Sequence, residues 1–185
     1  MATGTTPSIL VHTNVNSHII SLQDLNLEDG STNSFYIGGT FATHDMSVVS
    51  NGLTVVSGHP LLRLNLTDYV QNPADAGQVI VLYDNLGTSD LDGLNNYFLL
   101  SDPSGWEDGV SLINNKSFFA VGENLAGGPG SAFVIHYDYD VNTQTFGTGG
   151  NDIALTVIPE PVALGLLFLF GGALLTARRL RRWRA

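Results

Sequence analysis

Sixteen consecutive residues, 162–177, carry no charge, and five arginines (Arg178, Arg179, Arg181, Arg182 and Arg184) occupy the seven positions that follow. A helix that is apolar all round has no face to offer water. At ~1.5 Å per residue this one reaches roughly 24 Å, short of the ~30 Å hydrocarbon core by an amount that local thinning and snorkelling arginines cover. Gly171-Gly172 in mid-segment weakens a helix in water, whereas small residues are at home where membrane helices pack. The pattern predicts one transmembrane helix over 162–177, with its arginines cytoplasmic, everything before it across the membrane, and Trp183 at the interface. A buried helix of a soluble protein is the competing reading. The missing polar face and the arginine cluster count against it.

Charge is segregated along the chain as sharply as hydropathy. All 17 Asp and Glu residues lie at or before Glu160, and only Arg63 and Lys116 among the seven Lys and Arg residues precede the tail. Two cations against seventeen acids leave the body at −15, while the tail carries +5. A body this acidic repels phosphate, which excludes nucleic acid as its partner. There is no cysteine, so disulfides, thiol nucleophiles and cysteine-ligated metals are excluded as well.

The body, residues 1–158, is neither disordered nor helical in pattern. Its apolar content is high, at 43% of the whole chain, and short apolar runs alternate with Gly, Asn and Pro breakers. Strands are expected at 8–15, 18–22, 34–42, 53–57, 61–66, 78–84, 97–100, 117–121, 132–140 and 153–158, with Asn51-Gly52 among the turns. The continuous run Val79–Tyr83 predicts a strand buried on both faces, and the alternation of Phe133–Tyr139 a half-exposed one. The fold class is therefore all-β. A β-solenoid, in which each circuit stacks on the last, and an antiparallel β-sandwich both fit the pattern, the solenoid being favoured by loosely recurring glycine-bounded strands.

Pro159-Glu160-Pro161, the apolar segment 162–177 and the Arg-rich tail 178–185 together resemble the PEP-CTERM sorting signal of Gram-negative bacteria. The resemblance covers about the last 27 residues and includes all three parts in order. It implies that the chain is a substrate of an exosortase, a membrane-embedded cysteine transpeptidase-like enzyme that cleaves near the motif. Pro159, Glu160 and Pro161 are then recognition residues and not catalytic groups. Two prolines suit such a role, because they hold an extended segment poor in backbone donors.

A second resemblance spans roughly 51–158. The order of a valine-rich strand, Tyr83-Asp84-Asn85, Phe133-Val-Ile-His-Tyr137 and Gly149-Gly-Asn-Asp-Ile-Ala-Leu-Thr-Val157 looks like the end of autotransporter-passenger-like β-helical proteins. It implies a right-handed β-helix terminus in an adhesin-like or matrix protein. The chain departs from that pattern in lacking an upstream array of repeats. Residues 1–8 are polar and uncharged, without the basic and apolar regions of a secretory signal, so the chain is expected to be the C-terminal part of a longer protein.

Catalytic signals are absent from the sequence. The histidines (His12, His18, His44, His59 and His136) show no metal spacing, although His44-Asp45 and His136-Tyr137-Asp138 place an imidazole beside a carboxylate. No Gly-x-Ser-x-Gly elbow exists. The Gly-rich loop holding Asp84, Asp90 and Asp92, and the pair Asp138 and Asp140, would suit calcium if any ion, without matching an EF-hand. No catalytic, cofactor or metal residue is assigned.

These readings converge on a non-enzymatic structural or adhesin-like protein. It would be held in the inner membrane as a precursor and moved by an exosortase to the cell surface or extracellular matrix. Its expected partners are membrane lipid along 162–177, the exosortase itself and extracellular polysaccharide. Two alternatives stay open: a carbohydrate-binding or carbohydrate-cleaving β-domain delivered by the same tail, and a tail-anchored protein that is not exported.

Overall fold

In the computed structural model the described residues are 10–11, 19–38, 44–66, 69, 75–89, 91–102, 107–120, 131–147 and 149–158. They form strands and turns, with no α-helix among them. The strands are β1 (Leu10–Val11), β2 (Ile19–Leu27), β3 (Thr32–Tyr36), β4 (Met46–Val55), β5 (Leu61–Asn65), β6 (Val79–Asn85) and β7 (Thr88–Ser89). They continue with β8 (Phe98–Leu100), β9 (Ser111–Leu112), β10 (Lys116–Ala120), β11 (Ser131–Asp140), β12 (Thr145–Phe146) and β13 (Asp152–Val157). The described part of the body is all-β, as the turn-punctuated pattern predicts. The apolar segment 162–177 and its flanks lie outside the described residues.

The strands build two open, mixed sheets. One runs β1-β3-β5-β8-β9, and the other β10-β11-β13-β6-β4-β2, with β12 added on β11 and β7 on β4. From β1 to β6 the chain crosses from one sheet to the other with each long strand, and each circuit lies parallel to the one before. In the first sheet Leu10 pairs with Asn33, Thr32 with Leu61 and Leu61 with Leu99. In the second, Ile19 pairs with Met46 and Ser47 with Tyr83. The step per circuit thus lengthens from 23 residues at Leu10 to 38 at Leu61. Beyond β6 the pairing turns antiparallel: β13 lies between β6 and β11, and β10 closes that side.

Two of the sequence readings change here for identifiable reasons. Asn51-Gly52 is not a turn but the middle of β4, where β4 carries one more residue than β2 between the pairs Leu22↔Val49 and Asp24↔Gly52. This bulge is braced from the other side by Gly87, whose backbone sits so close to the Asn51 carbonyl that any Cβ would collide with it. Likewise Val79–Tyr83 is not buried on both faces. Ile80 and Leu82 point inward while Val79 and Val81 stay partly exposed, and a bulge opposite Ile153–Ala154 turns Tyr83 inward after Leu82. β11 keeps the expected alternation from Phe133 to Tyr137, with Phe133, Ile135 and Tyr137 buried.

Between the sheets lies one core, to which β3, β5 and β8 give Phe35, Leu62, Leu64, Phe98 and Leu100. The opposing sheet contributes Val49, Leu53, Ile80, Leu82, Tyr83, Phe133, Ile135, Ile153 and Leu155. Apolar area removed from water drives this packing at ~25 cal/mol per Å². Two tyrosines of the eight-stranded sheet pin it to the other. The Tyr83 hydroxyl donates to Asn33 Oδ1 at 2.8 Å, and its ring meets Phe35 edge-on at 5.1 Å. Asn33 in turn donates its amide to the carbonyls of Ser31 and Leu61. The Tyr137 hydroxyl donates to the Leu112 carbonyl at 2.6 Å and accepts the Phe98 N–H at 3.1 Å, entering the β8–β9 pair. Burial pushes the pKa of both hydroxyls far up, so they remain protonated donors.

Removing either hydroxyl strands a buried partner, at about 1–3 kcal/mol for each group left unpaired. Tyr83→Phe orphans one side-chain oxygen, whereas Tyr137→Phe orphans a backbone N–H and a carbonyl. Urea unfolding is expected to show both variants destabilised and Tyr137→Phe the more so. Equal midpoints for wild type and Tyr137→Phe would refute the role given to that hydroxyl.

Candidate functional site

The acidic surplus of the body is put to use at the corners between strands, where main-chain N–H groups leave the ladders and need acceptors. Asp29 Oδ1 accepts the His59 N–H at 2.9 Å, and Asp45 Oδ2 accepts the Tyr36 N–H at 2.8 Å. Asp92 Oδ1 accepts from Leu94 at 2.9 Å and Asn95 at 2.8 Å, and Asp140 Oδ1 from Asn142 at 2.8 Å. Asp108 accepts the Asp102 N–H at 3.0 Å, and Glu107 accepts that of Phe119 at 2.6 Å. Asp152 joins the two most widely separated segments, residues 85 and 141. It is 3% exposed, and its two oxygens take the N–H groups of Asn85 at 2.7 Å and Val141 at 2.8 Å, clamping the end of β6 to the turn after β11.

Hydrogen bonding and burial move these carboxylates in opposite directions. The Asp92 carboxyl is pulled down to about 2, chiefly by the Asn95 and Leu94 N–H groups. Asp140 is likewise lowered, first by the Thr143 hydroxyl and then by the Asn142 N–H. Burial raises Asp84, and it raises Asp152 despite the two N–H groups that Asp152 accepts. The expected calcium loop is therefore divided. Asp92 serves its own turn, Asp84 lies on β6 opposite Val48, and Asp90 lies outside the described residues. Among the described residues no group of three or more His, Asp or Glu side chains is arranged to hold a metal ion.

One concavity brings two of the predicted residues together. A shallow cleft of about 320 Å³ is lined by Leu91, Asp92, Tyr137, Asp138 and Asn151, with the Gly147, Gly149 and Gly150 backbone opposite. Gly150 is required there, because a Cβ would run into the Asp138 carbonyl. Asp138 Oδ1 is buried without a hydrogen-bond partner among the described residues.

The histidines disperse. His12 and His18 lie outside the described residues, and His44 makes an isolated bridge with Ile37. His59 stacks on Tyr97 at 4.2 Å in the corner leading into β5. His136 lies on the outer side of β11, under Phe146 at 4.3 Å, with Nε2 sharing a hydrogen bond of 3.1 Å with the Thr156 hydroxyl. Tyr139 joins that cluster, 4.9 Å from Phe146, because a bulge between His136 and Tyr139 brings both rings to one side. The two aromatic clusters stand at different sheets and form no row. The residues expected to form a sorting signal, Pro159, Glu160 and Pro161 with Arg178, Arg179, Arg181, Arg182 and Arg184, lie outside the described residues. The strand that leads to them does not. β13 is paired on both sides, and the Ile158 N–H donates to the Ala132 carbonyl at 3.0 Å.

Sequence reasoning missed the corner acceptors, although Asp29-Gly30, Asp92-Gly93 and Asp108-Gly109 signal turns in which a carboxylate can cap nearby N–H groups.

Burial lowers the His136 pKa from its ordinary value, against a smaller upward pull from Asp138. A histidine whose folded pKa is depressed favours the folded state above the unfolded pKa of ~6.5 and loses that advantage as pH falls. Stability measured at pH 7.5 and 5.5 is expected to drop by less in His136→Gln than in wild type, once shared contributions from the raised carboxylates cancel in the comparison. An imidazole that titrates above 6.5 by NMR would contradict this.

No protein family model, curated protein or solved structure matches this chain.

Proposed function

We propose that this chain is a structural, adhesin-like protein of the cell surface or extracellular matrix, delivered through its C-terminal sorting signal and carrying no catalytic centre. The body is read as the terminal part of a right-handed parallel β-solenoid. Six strands that alternate between two sheets and stack parallel, circuit on circuit, support that reading, since parallel crossovers in L-polypeptides are right-handed. The antiparallel strands β10, β11 and β13 then cap one end of the stack.

The observation that carries the sorting reading is the order Pro159-Glu160-Pro161, uncharged 162–177, then five arginines, directly after a strand of the acidic body. A helix of that composition partitions into lipid, and its cationic end stays cytoplasmic. The motif is thereby held at the outer membrane surface, where an exosortase would meet it. β13 suits the point of attachment: it is flanked by β6 and β11, so a pull on its end shears two ladders at once.

Expression behind a cleavable secretory signal in an exosortase-containing host, with and without residues 159–185, tests the proposal. The full chain is expected to appear outside the cell as a form shortened near Pro159–Pro161, and Glu160→Ala to accumulate uncleaved in the membrane fraction. Equal export of both forms at their unprocessed masses would reject the sorting role.

A further inference from the structure

Two buried side-chain atoms without a hydrogen-bond partner among the described residues stand two residues apart on β11: His136 Nδ1 and Asp138 Oδ1. An enclosed polar atom left unpaired costs free energy, so two of them this close on one strand call for a reason. Their surroundings are well fixed. Phe146 of β12 covers the imidazole at 4.3 Å, and Nε2 meets the Thr156 hydroxyl of β13 at 3.1 Å. The Asp138 carbonyl accepts the Gly147 N–H at 2.9 Å, and the Gly150 backbone packs against it. The hairpin and the Gly-rich segment after it therefore grip this part of β11.

The bulge brings the two side chains into one neighbourhood. Between the pairs His136↔Ala154 and Tyr139↔Asp152, β11 carries one residue more than β13. An extra residue breaks strict alternation and re-aims a side chain. The Asp138 carboxylate is near enough for its charge to be felt at the imidazole. Around the ring, Phe146, Ala154 and Thr156 bring no charge. Burial keeps the Tyr139 hydroxyl protonated, and Asp140 is turned to Asn142 and Thr143. On β10, Lys116 pairs with Ile135 and its side chain is exposed. A neutral imidazole has a single N–H. Placed on Nε2, it donates to the Thr156 hydroxyl, and the bare Nδ1 has nothing to offer a carboxylate, which only accepts. That tautomer accounts for both unpaired atoms. A second proton changes the match, because a cationic imidazole donates from both nitrogens.

We infer that His136 and Asp138 form an acid-closed latch: a proton added at Nδ1 is donated to Asp138 Oδ1, tying the imidazole under Phe146 to the bulge of β11. The latch is open at neutral pH and closes in mild acid. Charging an enclosed imidazole is costly, and a charge-assisted bond offsets part of that cost without cancelling it. Because the Asp138 main chain holds Gly147 and Gly150, closure is passed to the β11–β12 hairpin and to the Gly-rich wall of the cleft. The inference uses described residues alone and is independent of where the chain is delivered.

Imidazole NMR on the full nitrogen-15-labelled chain in detergent, followed from neutral pH into mild acid, tests the latch, with His136→Gln assigning the signals. Below the His136 midpoint the wild type is expected to show an Nδ1–H resonance that exchanges slowly with water. Asp138→Ala, which removes the acceptor at a partly exposed position, is expected to lose that resonance and to lower the midpoint by on the order of one pH unit. After correction for intrinsic rates, the Gly147 amide is expected to be better protected with the latch closed than open, a difference that Asp138→Ala abolishes. An unchanged midpoint in Asp138→Ala overturns the inference, as does a wild-type Nδ1–H that exchanges freely in acid. Equal protection of Gly147 in both states overturns the part given to the hairpin.

Discussion

Main-chain hydrogen bonding between successive circuits is the constraint on which everything else in this molecule rests. A strand that crosses from one sheet to the other must give up its ladder at each corner, and the N–H groups released there are costly to bury unpaired. The chain meets this demand with carboxylates. Asp29, Asp45, Asp92, Asp140 and Asp152 each accept a backbone N–H at or beyond a strand end. The acidity of the body is therefore part of how the corners are built.

The interior follows a second rule: two sheets pressed face to face need some tie beyond apolar contact to set their relative position. Tyr83 and Tyr137 provide it, each reaching from the eight-stranded sheet to a polar group of the other. Both rings also pack in the core, so each residue supplies area and direction together. A cleft forms where Tyr137 passes between the Asp92 loop and the Gly-rich segment after β12. Of its glycines, Gly150 answers a close main-chain approach, whereas Gly147 and Gly149 adopt a positive φ with open space where a Cβ would stand.

The asymmetry between the ends of the stack has a physical origin. Parallel strands cannot finish themselves, because each exposes the same donors and acceptors as the last. On one side the chain reverses direction, and the antiparallel group β13, β11 and β10 closes the eight-stranded sheet with a cationic edge residue. On the other side β2 is the last strand of the same sheet among the described residues.

The sequence by itself determined the all-β class, the separation of an acidic body from an apolar and cationic tail, and most strand positions, because alternation and turn residues are local properties. The alternation of β11 and the strand before Pro159 were legible for that reason. Pairing was not. Whether β4 begins at Met46 or at Leu53 depends on a bulge that exists only because β2 and Gly87 lie on either side of it. Whether Tyr83 points in or out depends on a bulge against β13, seventy residues further on. The use of Asp152 as a clamp likewise requires two N–H groups from distant parts of the chain to arrive at one carboxylate. Contacts of this kind depend on which strands meet. That choice is made by burial summed over the whole molecule, so only the tertiary structure decides it.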